Sequence, residues 1–169
     1  MISLDAESIY RVFAQRVRER IAGRESRVRL VGVHTGGVWL AERLKEELKL
    51  ADPVGVLDIS FYRDDFHRAG LSSGVKPSRI GFEVEGAHIV LVDDVLYTGR
   101  TVRAALNELF DYGRPASIDL AVLVDRGGRE LPIAPTIVGR TIEVPADVSV
   151  VLSRDDSGRL HLTLEQRRG

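Results

Sequence analysis

Short runs of valine, isoleucine and leucine recur along this chain, and each closes on a turn of glycine or charged residues. Val28 to Val33 ends in His34-Thr-Gly-Gly37 and gives way to Val38, Leu40, Ala41, Leu44 and Leu48 at helical spacing. Ile89 to Val92 ends in a turn over Asp93 to Arg100, then a helix over Thr101 to Tyr112 that Gly113 and Pro115 stop. Ile118 to Val124 ends in Asp125-Arg-Gly-Gly128. Strands that are apolar throughout need cover on both faces, so this alternation predicts an α/β class with a mostly parallel central sheet flanked by helices. In such sheets ligands bind beyond the carboxyl ends of the strands, where these three turns stand.

The remaining segments fit around that sheet. Ile9, Val12, Phe13, Val17 and Ile21 share one face of an N-terminal helix, with Asp5 or Ser8 where a cap belongs. A strand-like stretch runs from Val54 to Tyr62, and the polar residues Arg63 to Gly81 form a loop long enough to serve as a lid. Short strands follow at Ile137–Val138, Val148–Leu152 and Leu160–Leu164, with Ser157-Gly158 as a hairpin turn. Without repeat or linker, residues 1–169 read as one domain.

Composition excludes several classes. No apolar run approaches the roughly 20 residues of a membrane span. The first ten residues lack the charged and apolar regions of a secretion signal, and there is no cysteine for a disulfide or a thiolate-bound zinc. A cytoplasmic location is expected. The 24 basic and 25 acidic residues give a net charge of −1, which provides no general attraction to nucleic acid. Between positions 11 and 29, however, Arg11, Arg16, Arg18, Arg20, Arg24, Arg27 and Arg29 face only Glu19 and Glu25. That stretch is either a basic face for RNA or the solvated side of an amphipathic helix, and no aromatic platform accompanies it.

The chemistry concentrates in Val90-Leu-Val-Asp-Asp-Val-Leu-Tyr-Thr-Gly-Arg-Thr-Val102. Backbone N–H groups of Tyr97 to Thr101, the hydroxyls of Thr98 and Thr101 and the positive end of a helix suit a phosphate monoester. Asp93 and Asp94, at the strand end just upstream, suit vicinal ribose hydroxyls and Mg²⁺, held directly or through water. Phosphate and diol together describe a ribose 5-phosphate. Neither GxxxxGK[ST] nor GxGxxG occurs, so kinase and dehydrogenase readings drop away. No HExxH or cysteine is present for zinc-dependent or thiol-based covalent hydrolysis.

This string resembles the phosphoribosyl-pyrophosphate (PRPP) signature of type I phosphoribosyltransferases, and VLVDDVLYTGRTVRAAL is similar to the version found in the PyrR family. Asp58 to Asp65, Gly113 to Ala116, Leu120 to Gly127 and Arg129 to Ile133 resemble further PyrR segments in the family's order. The resemblance spans residues 28 to 145 and implies the type I fold, with a flexible flap over Arg63–Gly81 and a small hood. It implies a uracil phosphoribosyltransferase that makes UMP and pyrophosphate from uracil and PRPP with Mg²⁺. It also implies a UMP-responsive regulator that binds pyr leader mRNA, and a homo-oligomer; a non-catalytic sensor of PRPP or UMP is the alternative.

Carried over residue by residue, the resemblance assigns Asp93, Asp94, Val95, Leu96, Tyr97, Thr98, Gly99, Arg100 and Thr101 to the ribose 5-phosphate. Thr35 and Gly36 fall to the pyrophosphate loop, Arg63 to substrate contact at the root of the flap, and Arg126 and Val138 to the base. Asp93, Asp94 and Arg63 are the expected catalytic residues, with the two acids as Mg²⁺ ligands. The chain departs from the family in having Gly36 for a frequent arginine and Gly128 for a usual histidine.

Overall fold

The computed structural model describes residues 4–59 and 78–168. Helix α1 (Ala6–Ile21) is capped by Asp5, whose carboxylate accepts the Ser8 N–H at 3.1 Å. Such a cap contributes about 1 kcal/mol. Ile9, Phe13, Val17 and Ile21 are buried as their spacing predicts, but Val12 is 43% exposed, because the stripe turns inward through Phe13 instead.

The order continues through β1 (Val28–Val33), α2 (Gly36–Leu48), β2 (Gly55–Leu57), β3 (His88–Leu96), α3 (Arg100–Phe110), β4 (Ser117–Asp125) and β5 (Ile137–Thr141), ending in β6 (Val148–Arg154) and β7 (Leu160–Gln166). Strands β2-β1-β3-β4-β5 form one sheet, parallel throughout. Strands β6 and β7 make a separate antiparallel hairpin. Its turn carries Gly158 at φ +87°, and the Asp155 carboxylate accepts the N–H groups of Ser157 and Arg159.

Alternation along β3 divides the interior in two. Val90 and Val92 face the cluster built with Phe13, Leu40 and Leu44 of α1 and α2, whereas Ile89 and Leu91 face the cluster with Val102 and Leu109 of α3. Each fully buried residue of this size contributes roughly 1.5–3 kcal/mol through burial. Val150, Leu152, Leu160 and Leu162 of the hairpin join the α1/α2 cluster, which seats the hairpin against the body as the expected hood.

Several boundaries differ from the sequence reading. Strand β3 runs on through the expected turn to Leu96, since its ladder to β4 continues at Val95↔Val124 and Leu96↔Asp125. Asp93 and Asp94 therefore lie inside a strand. Of the stretch expected from Val54 to Tyr62, Gly55–Leu57 is the part that pairs as a strand among the described residues. Residues 60–77, with Arg63 and most of the expected flap, lie outside the described residues.

The connection from β1 leads to β2 on one side and that from β3 leads to β4 on the other. The chain thus diverges between the carboxyl ends of β1 and β3, where a crevice opens.

Candidate active site

The two acids at the crevice have different surroundings. Asp93 is 3% exposed, and its Oδ1 accepts the N–H of Asp94 at 2.8 Å. Asp94 points to the opposite face of the strand and reaches the crevice, with its Oδ1 accepting the Val95 N–H at 2.8 Å.

Across the crevice the β1–α2 turn backs onto these groups. The His34–Thr35 peptide bond is cis, and the Thr35 carbonyl accepts the N–H groups of Val38 and Trp39 at 3.2 and 3.3 Å. A Cβ at Gly36 would lie 2.4 Å from the Asp94 Oδ2, and one at Gly37 would lie 2.3 Å from the Val92 carbonyl oxygen. Glycine at both positions is what lets α2 begin so close to β3.

The turn after β3 is held from outside. Gly99 caps α3 at φ +94°, a conformation costly for any residue with a Cβ, and the Thr98 hydroxyl accepts the Arg100 N–H at 3.2 Å. Arg129 donates to the Tyr97 carbonyl at 2.9 Å, to the Ile133 carbonyl at 2.9 Å and to the Asp125 carboxylate at 2.6 Å. The Thr98 carbonyl accepts the N–H groups of Glu130 and Leu131 at 2.9 and 3.1 Å. A trans peptide sends its N–H opposite to its C=O, so two anchored carbonyls turn the N–H groups of Thr98 and Gly99 away from the brace. That is the arrangement an anion requires at a helix start.

The crevice widens into a cavity of about 460 Å³. Thr35, Gly36 and Trp39 form one wall, and Asp94, Val95, Tyr97 and Thr101 a second. Arg126 lies at the back, and the hairpin closes the cavity with Ser149, Val150, Val151, Leu152, Glu165 and Arg167. The guanidiniums of Arg126 and Arg167 lie 4.0 and 4.8 Å from the centroid of the Tyr97 ring. Arg126 is 5% exposed and ties the hairpin down through the carbonyls of Pro145 and Val148. Burial pulls its pKa below the usual arginine value, and the nearby Arg167 adds to this against the opposing effect of Tyr97. Gly128, at φ +77°, leaves room for the Tyr97 ring, which a Cβ there would approach to 2.4 Å.

Of the residues singled out from sequence, the cavity therefore gathers Thr35, Gly36, Asp94, Val95, Tyr97, Thr101 and Arg126. Thr98 and Gly99 shape the turn. Arg100 directs its side chain outward to Glu130 at 2.7 Å, and Leu96 is buried in the α3 cluster. Val138, expected on the base side, lies apart from these walls. Val138 sits within β5 opposite Val122, its carbonyl accepts from Arg16, and it is not among the cavity walls. The hairpin wall went unnoticed because its residues carry no motif, and the only signal, the Ser157-Gly158 turn, marks two strands without saying where they fold back.

Among the described residues no three His, Cys, Asp or Glu side chains cluster as a metal cage. A Mg²⁺ ion that keeps several waters and takes most other ligands from a phosphorylated substrate needs only one or two carboxylates, so Asp94 at the crevice fits it.

The parallel sheet with a crevice at its switch point is the fold of a phosphoribosyltransferase, and the phosphoribosyl transferase domain family matches residues 4–156. The hypoxanthine phosphoribosyltransferase of Trypanosoma cruzi shares the fold with a TM-score of 0.67 at 22% identity, covering 99% of this chain and 97% of that one. Closer in sequence are the bifunctional protein PyrR of Nitrosococcus oceani, 51% identical over 92% of this chain and 89% of its own length, and that of Pseudomonas aeruginosa strain LESB58, 59% identical over 75% and 74%. The chain belongs to the PyrR family of phosphoribosyltransferases.

Proposed function

We propose that the chain is a uracil phosphoribosyltransferase and a UMP-responsive regulator of pyrimidine gene expression, acting from one domain over residues 1–169. The observation that carries the reading is Asp94 set against Gly36 across the switch-point crevice, beside a turn whose carbonyls are anchored away from the site. The name borne by the relatives, bifunctional protein PyrR, supports two roles in one chain.

In the reaction N1 of uracil forms a bond to C1 of PRPP, the C1–oxygen bond to pyrophosphate breaks with its electron pair on the leaving oxygen, and the N1 proton is released. The turn at Tyr97–Thr101 holds the 5-phosphate, and Asp94 accepts the ribose hydroxyls and faces the positive charge that develops at the ring. When bound, Mg²⁺ neutralises the diphosphate as it departs. Tyr97, Arg126 and the hairpin at Ser149 enclose the base and exclude water from C1. Arg63 remains the proposed flap contact.

UMP formation from uracil, PRPP and Mg²⁺, run beside hypoxanthine and guanine, tests the reading. Turnover with uracil alone is expected. Binding of all ligands without turnover would replace the enzyme by a nucleotide sensor.

For the regulatory role, α1 exposes Arg11, Arg16, Arg18 and Arg20. Arg20 is ion-paired with Asp119 at 3.0 Å and Arg16 donates to the Val138 carbonyl, whereas Arg11 donates to the exposed, uncharged Ser8 hydroxyl at 2.9 Å, so Arg11 and Arg18 are the residues proposed to meet pyr leader mRNA, in a cytoplasmic homo-oligomer. Among the described residues no helix is long and apolar enough to cross a membrane. Binding of leader RNA that strengthens with UMP and weakens with salt is the expected result.

A further inference from the structure

Thr35 and Trp39 are walls of two cavities. Beyond the one already described lies a second of about 460 Å³, bounded by His34, Thr35 and Trp39 together with Glu42 of α2, Arg79 and Arg154. Three separate parts of the chain converge there. Arg154 ends β6 and places its guanidinium 4.8 Å from the centre of the Trp39 ring. Arg79 is fixed through its backbone, exchanging two hydrogen bonds of 2.7 Å with Val56 of β2. Trp39 stands in the first turn of α2, immediately after the Thr35 carbonyl that its N–H contacts.

Among the described residues neither Arg79 nor Arg154 has a carboxylate at ion-pair distance; Glu42, the one acid in the wall, pairs with neither. Two unneutralised guanidiniums in a concave site concentrate positive potential and favour an anion. One of them is pre-oriented by stacking on an indole, which lowers the entropy lost when it binds. In the main cavity the cations, Arg126 and Arg167, are both engaged with Tyr97.

Substrate chemistry then decides which anion fits. The Tyr97–Thr101 turn takes the 5-phosphate end and Asp94 the ribose. From Asp94 the next contacts are Gly36 and Thr35, and beyond Thr35 is the cationic pocket. We propose that Arg79 and Arg154 bind the distal phosphate of the PRPP diphosphate and of released pyrophosphate, so that this side pocket distinguishes PRPP from UMP. The assignment rests on the phosphoribosyl-transfer reading above and adds the groups that carry the leaving end.

Calorimetric titration of the full chain with inorganic pyrophosphate plus Mg²⁺, with PRPP plus Mg²⁺ and with UMP tests it. Arg79→Ala combined with Arg154→Ala is expected to weaken pyrophosphate and PRPP at least tenfold, with UMP affinity held within twofold. Retained UMP binding also reports an intact fold. Arg154→Lys, which keeps the charge but loses the planar stack, is expected to fall between the two. Pyrophosphate affinity unchanged in the double variant, or UMP weakened in parallel, overturns the assignment. A wild-type chain that binds all three ligands without making UMP leaves this pocket standing and removes only the transferase reading.

Discussion

Gly36 backs onto Asp94 so closely that a single added carbon would meet its carboxylate oxygen at 2.4 Å. Gly36 opens α2 just after β1, and Asp94 lies within β3. The obstacle is the end of a side chain and not backbone, so a methyl group at position 36 is accommodated by rotating Asp94 out of place. Gly36→Ala is expected to preserve the melting temperature while cutting kcat/KM for PRPP by about tenfold, or about 1.4 kcal/mol. Steady-state kinetics beside a thermal melt checks this; unaltered kinetics would show that Asp94 need not hold its present position.

The paired acids separate in the same way. Asp94→Asn is expected to lower UMP formation by about 100-fold or more, as loss of a charge-stabilising group at a reacting centre does, with little change in stability. Asp93→Ala removes the acceptor of the Asp94 N–H in a buried setting and is expected to cost about 1–3 kcal/mol. In a chain of this size that lowers Tm by several degrees, roughly 2–4 °C per kcal/mol. Equal thermal stability of the two variants would contradict the division of roles.

Arg129 reaches no cavity wall yet fixes the Tyr97 carbonyl. Arg129→Ala is expected to raise KM for PRPP more than it lowers kcat, because it loosens the phosphate turn without touching the ribose. Arg129→Lys, which cannot serve three acceptors in one plane, should recover only part of the loss. A KM identical to wild type would show that Glu130 and Leu131 brace the turn without it.

Glu7 links three elements, accepting Arg43 of α2 at 2.8 Å and the Leu160 N–H of β7 at 2.8 Å. The Arg43 hydrogen bond, opposed by burial and aided by Leu160, holds the Glu7 carboxyl below its usual range. A depressed carboxylate stabilises the fold above its unfolded pKa of about 4.3, and that contribution disappears as pH falls through the lower folded value. Hydrogen-exchange protection of the Leu160 amide is therefore expected to hold above about pH 4.5 and to decline in more acid solution before global unfolding. In Glu7→Gln it should be weaker at neutral pH and lack the acid transition. Protection unchanged in wild type down to pH 3 would remove Glu7 as the hairpin's anchor.

Much of this architecture was legible from local patterns. Apolar runs located β1, β3 and β4, and the spacing of Ile9, Phe13, Val17 and Ile21 located α1. The residues that line the near walls, Thr35, Asp94, Tyr97 and Thr101, sit in or beside the turns that glycine and charge had marked. Where the reading failed, long-range packing decided the outcome. Strand β3 continues through two acids because β4 lies beside it, and Val12 turns outward because Phe13 fills the core. The far wall at Ser149 and Arg167 depends on how the β6–β7 hairpin docks, which no short-range pattern encodes.

The hairpin wall also governs when the site can exist. Thr35 and Arg167 face one cavity from positions about 130 residues apart, and the cost of closing such a loop rises with its length. The cavity is complete only where the hairpin has docked on the sheet. A ligand held by both walls binds only the docked state, and at 100 times its dissociation constant it adds about 2.7 kcal/mol to that state. Nucleotide in the cavity is thus coupled to maturation of the fold, and a hairpin weakened at Glu7 or Arg126 would surface first as lost ligand-induced thermal stabilisation.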